Sequence, residues 1–481
     1  MNKPAPTFHI LQLLLALLAF TAHAADEIIA LGSRRELLVD DFLIQSLDHA
    51  SLTLHKPEPR DVVIVCDAPW EGNVSAYYTL FADDGLFRMY YGGAHVDEKK
   101  KPVHDDLTCY AESRDGITFT KPQLGLFEFN GSKANNIVWA GPDGTRNFAP
   151  FKDTNPACPP ESRYKALAGG MTLLKGKKKA CLHAYQSADG IHWSKMIEDA
   201  VITAGSFDSQ NIALFDATRG EYRAYWRYFE SPFTDALGVK HPGLRSIRTA
   251  TSRDFLHWEK QADLGYGDSP HEDLYTNAVR TYDRAPHLFM GFPTRIQQKT
   301  EQVEPVFMTS RDGVNFRLWP EALIPITAPK DRDGNRSNYM TRGLLQLPGS
   351  DRELSAYATE AYYAGAGSRV RRFVYRMDGF VSAHAGAAGG VLLTKPFTFA
   401  GAKLSLNIAS KGDTRVGILG ADGKPVPGFA PGDCAPITAD AIAHTVSWKG
   451  GDLSALAGKP VQLRFELKDT DLYALQFQTA P

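Results

Sequence analysis

The amino-acid sequence predicts an all-β protein, a five-bladed β-propeller followed by a C-terminal β-sandwich. Three observations predict it: one short motif recurs four times, apolar residues alternate in short runs bounded by turn residues, and helical periodicity is scarce. The motif stands as Ser113-Arg114-Asp115-Gly116-Ile117-Thr118-Phe119. It returns as Ser187-Ala188-Asp189-Gly190-Ile191-His192-Trp193, as Ser252-Arg253-Asp254-Phe255-Leu256-His257-Trp258 and as Ser310-Arg311-Asp312-Gly313-Val314-Asn315-Phe316. Asp-Gly supplies the positive-φ turn of a tight hairpin, and the aromatic side chain packs on the strand before it, so each copy marks the outer hairpin of a blade.

The strands between the motifs follow the same design. Residues 77–81, the turn Asp83-Asp84-Gly85 and residues 87–91 form one strand pair; 211–215 with 222–228, and 274–281 with 287–292, repeat it. A further pair at 353–359 and 370–376 makes five blades, for which one large irregular sandwich is the competing architecture. Asp40 and Asp41 lie in the apolar run 36–44, expected as a strand that closes the ring against the last blade with one carboxylate toward the channel. An Ala- and Gly-rich stretch at 383–390 divides a propeller over 25–380 from a sandwich over 385–481, whose strands are expected at 390–394, 403–408, 414–419, 444–448, 461–467 and 472–477.

The N-terminus reads as an export signal over residues 1–24: Lys3, a leucine-rich core at 10–20, then the small-x-small site Ala22-His23-Ala24. The apolar core is shorter than the roughly 20 residues that span a bilayer, so a secreted or periplasmic protein is expected, with no membrane association after cleavage. With 53 Lys+Arg against 55 Asp+Glu, the net charge of −2 points to no nucleic acid and no anionic surface. The basic runs 99–101 and 177–179 read as solvated hairpin tips. Five widely spaced cysteines leave at least one unbridged, and with no C-x-x-C or paired His spacing no metal and no cofactor is expected.

Where a blade's innermost strand begins, its polar residues converge on one end of the central channel. The segments expected there are Asp67-Ala68-Pro69-Trp70-Glu71-Gly72-Asn73, Phe151-Lys152-Asp153-Thr154-Asn155-Pro156, Phe207-Asp208-Ser209-Gln210-Asn211, His271-Glu272-Asp273-Leu274-Tyr275 and Asn335-Arg336-Ser337-Asn338-Tyr339. Four of the five carry carboxylates, with aromatic and amide neighbours, which is equipment for gripping sugar rings and for acid and base work on a glycosidic bond. Trp70, Tyr110, Trp226 and Tyr275 are the candidate stacking platforms, Trp70 and Tyr275 first because they flank carboxylates. Arg146 and Asn147 stand ready for a uronate or hydroxyls, and Glu360 closes a strand of the last blade.

This organisation resembles the five-bladed propeller glycosidases, the invertase, levanase and arabinanase-like enzymes of the glycoside hydrolase family 32 and 43 type. Lys152-Asp153-Thr154-Asn155-Pro156 stands where those families have Arg-Asp-Pro, and a sandwich follows the propeller as in the invertase group; the invertase Asn-Asp-Pro-Asn-Gly and Glu-Cys signatures are not present as such. The resemblance implies three acidic residues on different blades: Asp67 or Glu71 as nucleophile or base, Asp153 holding hydroxyls, and Glu272 as acid with Asp208 as the competing choice. Trp70, Glu71, Asn147, Asn211, Tyr275 and Asn338 are then the expected substrate-binding residues. A glycoside hydrolase acting on an oligo- or polysaccharide is the expected function; a carbohydrate-binding protein and a polysaccharide lyase are the alternatives.

Overall fold

The computed structural model describes residues 28–479 apart from 146, 235–239, 242, 298–299, 301 and 328–337; the expected export signal and Arg146 lie outside the described residues. Among these, regular structure is strand with short 3₁₀ turns such as Pro160–Ser162, and no helix is long and apolar enough to cross a membrane.

The alternating runs pair into five four-stranded antiparallel units among the described residues. The first comprises Ala76–Asp83, Leu86–Gly93, Leu107–Ser113 and Ile137–Trp139; the second Ala149–Lys152, Tyr164–Leu174, Lys177–Ser187 and Ser194–Lys195. The third comprises Ile212–Asp216, Glu221–Phe229, Arg245–Ser252 and Trp258–Asp263; the fourth Arg280–Tyr282, Ala285–Gly291, Phe307–Ser310 and Phe316–Trp319. The fifth takes Met340–Leu345, Glu353–Glu360 and Arg369–Arg376 from one end of the chain and Glu58–Val65 from the other.

Separate apolar cores join each unit to the next. Tyr90 and Phe148 share one between units one and two, Phe151 and Trp226 between two and three, Tyr225 and Phe289 between three and four, Met290 and Phe373 between four and five, and Tyr91 and Tyr357 between five and one. The last of these, with the parallel contact of Arg342 and Thr79, closes the units into a ring.

The recurring motif staples this ring. In each copy the Asp carboxylate accepts from the two backbone N–H groups that follow the turn, for Asp189 those of Ile191 and His192 at 2.8 Å each, while the Ser hydroxyl accepts the Gly190 N–H. Gly116, Gly190 and Gly313 take φ of +73°, +79° and +76°, and a tyrosine of the preceding unit donates its hydroxyl to each glycine carbonyl: Tyr357 to Gly116, Tyr90 to Gly190, Tyr225 to Gly313. A Cβ at Gly190 would lie 2.7 Å from the Tyr90 hydroxyl, so glycine is required there. In the third unit the position is Phe255, at φ +70°. By register, Leu167 stands in the second unit where the tyrosines stand in the others, and Phe255 fills the space against Phe151 and Tyr222. Asp189→Ala removes an acceptor from two turn amides and should cost about 1 kcal/mol in chemical denaturation, with no change in any ligand-binding property.

The N-terminal segment does not close the ring as expected. Ile29–Gly32, Arg35–Leu37, Ile44–Asp48 and Ser51–Leu54 join two six-stranded sheets whose other strands lie beyond Val381, and the two sheets share one apolar core that includes Leu31, Phe397, Leu406, Phe465 and Phe477. Closure falls instead to Glu58–Val65, which pairs with Arg369–Arg376. The physical reason lies in the partners of the acidic residues. Glu36 and Asp40 face the fourth unit: Arg311 reaches Glu36 at 3.1 Å and Asp40 at 2.8 Å, and His287 stands 3.2 Å from Glu36.

This clamp makes the junction acid-sensitive. Burial alone would raise the Glu36 carboxyl, but His287 3.2 Å away and the charges of Arg311 and Arg34 hold it at about 2, against an ordinary 4.5. The folded-state value is depressed, so its stabilisation of roughly 3 kcal/mol is complete above pH 4.5 and is lost as the pH falls toward 2. Denaturation across that window should show a steep loss that Glu36→Gln makes smaller by about 3 kcal/mol; parallel curves for the two proteins would contradict the clamp.

Candidate functional site

The five innermost strands are Ala76–Asp83, Ala149–Lys152, Ile212–Asp216, Arg280–Tyr282 and Met340–Leu345. Their starting ends meet. Gln210 Oε1 accepts from the Ala278 N–H, its Nε2 donates to the Met340 carbonyl, the Ser209 hydroxyl donates to the Tyr275 carbonyl, and Asn147 Nδ2 donates to the Phe207 carbonyl. Tyr77, opening the first unit, places its hydroxyl 3.3 Å from Asp208 Oδ1, which precedes the third.

Backbone strain gathers at this end. Tyr77 (φ +58°) and Ala278 (+43°) lie at or just before strand starts, and Ala361 (+58°) and Tyr363 (+59°) lie in the loop after Glu360. Side chains with a Cβ reach such values at about 1–3 kcal/mol each, a cost that concentrates at functional sites. Ser75, Asn211, Asn338 and Thr341 each bury a side-chain oxygen here without a hydrogen-bond partner. Buried polar atoms left over by the fold suit water or a hydroxylated ligand.

Aromatic and cationic groups line the same end. Tyr77 and Tyr362 belong to one apolar cluster, and Tyr275 and Tyr339 pack against it edge to face with ring centroids 5.7 Å apart. Arg227 and Arg245 hold their guanidinium carbons 4.7 and 5.4 Å from the Tyr275 ring centre. Arg245 is paired with Asp273 at 3.1 Å; Arg227 is buried, and the Ser206 hydroxyl 3.2 Å away is its polar side-chain contact.

The carboxylates divide sharply by partner. Glu272 is 2.5 Å from Arg295, which also holds Glu304, and Glu360 is held by Arg369 and Arg371 at 2.9 and 2.8 Å. Burial would lower the Arg295 guanidinium, yet its bonds to Glu304 and Glu272 raise it. Asp208 is exposed, and no cation pairs with it among the described residues. It is therefore a carboxylate at this end that is open to a ligand.

The structure places several expected residues elsewhere. Asp153 follows the strand Ala149–Lys152 instead of preceding it, so it sits at the opposite end of the ring from Asp208. There it is buried, 2.5 Å from Lys165 Nζ and 2.6 Å from the Tyr222 hydroxyl. Glu71 is buried too, accepting from Lys121 at 2.6 Å and from the Tyr91 hydroxyl at 2.5 Å; Asp67 is exposed and pairs with the same lysine. Burial raises the Cys66 thiol to about 12, with the Glu71 charge adding to it, which marks this as a structural polar cluster.

Among the platforms, Tyr275 stands at the site. Trp70 is half-buried, donates Nε1–H to Asn136 at 2.6 Å and packs edge to face with Phe129. Trp226 is fully buried with its N–H on the Ala204 carbonyl, and Tyr110 is buried against Tyr90. Asn147, Asn211 and Asn338 all lie at the starting ends. Tyr77, Arg227, Arg245, Tyr339 and Tyr362 belong to the site without having been singled out from sequence. The charge of Arg227 between Trp226 and Tyr228, in a strand buried along most of its length, was the available signal.

No protein-family model and no curated protein matches the chain. Among solved structures, it is similar to an N-acetylgalactosamine deacetylase of F. plautii in complex with blood group B trisaccharide, at 12% identity and a TM-score of 0.44, over 68% of this chain and 96% of that one. It is similar to an endo-arabinase of Bacteroides thetaiotaomicron at 9% identity and 0.41, over 66% and 99%, and to a Bombyx mori GH32 β-fructofuranosidase at 8% and 0.40, over 89% and 94%.

Proposed function

We propose that the protein is an exported glycosidase, a five-bladed β-propeller carrying a β-sandwich, whose site is the end of the ring where the innermost strands begin. The observation that carries this reading is Asp208: an exposed carboxylate without a cationic partner among the described residues, 3.3 Å from the Tyr77 hydroxyl, at the meeting point of all five units. In this reading Asp208 is the carboxylate that acts on the glycosidic bond, as nucleophile or as base for water, and the leaving oxygen takes its proton from water. Tyr275 and Tyr339 offer ring faces and edges to sugars. Glu272 moves from acid to positioning group, because Arg295 holds it at 2.5 Å.

A second reading, a carbohydrate-binding protein without turnover, draws support from the same pairing: Glu272, Asp273 and Glu360 are each neutralised by arginine, which suits holding a sugar more than protonating it. The experiment is incubation of the purified mature protein with a panel of plant, algal and bacterial glycans, followed by chromatography of the products and calorimetry of binding. New reducing ends establish the glycosidase; binding heat without new ends establishes the second reading; an unsaturated product absorbing in the ultraviolet establishes a lyase.

A further inference from the structure

The opposite end of the ring holds a second concavity that the glycan reading does not use. A cavity of about 390 Å³ is lined by residues from all five units, among them Phe81, Phe151, Phe215, Arg280 and Arg342. Its walls are mixed: apolar side chains such as Phe81, Phe151 and Phe215 alternate with three cations, Lys152, Arg280 and Arg342, and one carboxylate, Asp283.

Two of those cations are already balanced. Lys152 lies 2.7 Å from Asp83 and 3.1 Å from Asp84, and Arg280 grips both Asp283 oxygens at 2.8 and 2.7 Å while donating to the Leu344 carbonyl. Arg342 is not. Its Nη1 donates to the Pro150 carbonyl at 3.4 Å, its Nε is buried without a hydrogen-bond partner, and no carboxylate pairs with it among the described residues. Burial, and then the neighbouring charge of Arg280, push the guanidinium down to about 9, against a weaker opposing pull from Asp283. A charge partly withdrawn from water without a counter-charge is attracted to an anion more strongly than one in bulk solvent.

We propose that this end of the ring is a binding site for a small oxyanion, held by the guanidinium of Arg342 inside the channel. A guanidinium matches the paired oxygens of a phosphate or carboxylate group, and Arg342 gives Nη1 to the Pro150 carbonyl at 3.4 Å while no carboxylate pairs with it among the described residues. Because Arg342, Pro150 and Arg280 come from the fifth, second and fourth units, an anion bound there ties the ring across its axis. The site is independent of Asp208 and of the glycan reading.

The test is thermal unfolding of the whole protein in inorganic phosphate, in acetate and in chloride at matched ionic strength, for the parent, Arg342→Met and Arg342→Lys. Phosphate or acetate should raise the parent's Tm by a few degrees over chloride, climbing with the logarithm of concentration, and which of the two does so identifies the oxyanion class. Arg342→Met should match or exceed the parent's Tm in chloride and lose the oxyanion response; Arg342→Lys, lacking the fork, should lose most of it. Equal responses in all three salts, or an oxyanion response retained by Arg342→Met, would overturn the site. Selenate soaked into crystals should give an anomalous peak within hydrogen-bond distance of the Arg342 guanidinium, and a peak elsewhere only would overturn it as well.

Discussion

Replacing Asp208 by asparagine is expected to lower glycan turnover by about 10²–10⁴-fold while leaving the melting temperature within a degree or two of the parent. The two halves of this expectation have separate causes. Turnover falls because asparagine keeps the size and hydrogen-bonding reach of the side chain but carries no charge to stabilise a developing cation or accept a proton. Stability holds because Asp208 is exposed and its side chain is tied by one hydrogen bond, from Tyr77. Substrate binding should weaken little, since the aromatic and amide groups around it are untouched. Loss of turnover together with a large fall in Tm would mean that Asp208 holds the ring and does not act on a ligand.

Asp153→Asn should do the reverse. The carboxylate and the Lys165 ammonium are both buried, 2.5 Å apart, and Lys165 otherwise leans on the Ser162 carbonyl and the Cys158 thiol, both 3.0 Å away. Removing one charge strands the other in the interior, a loss of about 3–5 kcal/mol. Urea denaturation should show the midpoint shifted by that amount with an unchanged slope, while activity per folded molecule stays near that of the parent. Exchanging both partners for apolar residues of similar volume, Asp153→Leu with Lys165→Met, should recover much of the loss, because nothing charged is then left unpaired. Parent-like stability in Asp153→Asn together with lost activity would return Asp153 to the catalytic role that its likeness to Arg-Asp-Pro first suggested.

The difference between these two aspartates shows what the sequence carried and what it did not. The motif turns were legible because Ser, Asp and Gly act on their own neighbours: Asp189 bonds amides two and three residues on, and no distant part of the chain is needed. Strands with strict alternation were legible for the same reason, as in Val461–Leu467. The start of a strand was less so. Residues 274–279 have the apolar pattern of a strand, but their amides turn to other partners, Leu274 to the Arg245 carbonyl and Ala278 to Gln210, so the fourth inner strand begins only at Arg280. In the second unit the misplacement ran the other way: the inner strand Ala149–Lys152 lies ahead of Asp153, and its brevity hid it.

Domain membership of the first strands was beyond local reading. Arg35–Leu37 pairs with Thr470–Gln478, more than 430 residues away, and only the ion pairs of Glu36 and Asp40 with Arg311 explain why two acids sit in an apolar run. The site aromatics were hidden for a related reason. Tyr77 and Tyr78 are adjacent and chemically alike, yet Tyr78 faces a buried core beside Cys66 while Tyr77, turned by a positive φ, faces Asp208. A period-2 pattern assigns them to opposite faces without saying which face carries chemistry.

The central claim is that the reacting end of the ring is the one around Asp208. Its most direct test is the turnover number of Asp208→Asn beside the parent on the glycan that the panel identifies, with Asp153→Asn corrected for its folded fraction as the reference. The account predicts a fall of at least about 10²-fold for Asp208→Asn and near-parent turnover for Asp153→Asn. Parent-like turnover in Asp208→Asn, with loss in Asp153→Asn, would place the chemistry at the other end of the ring and contradict it.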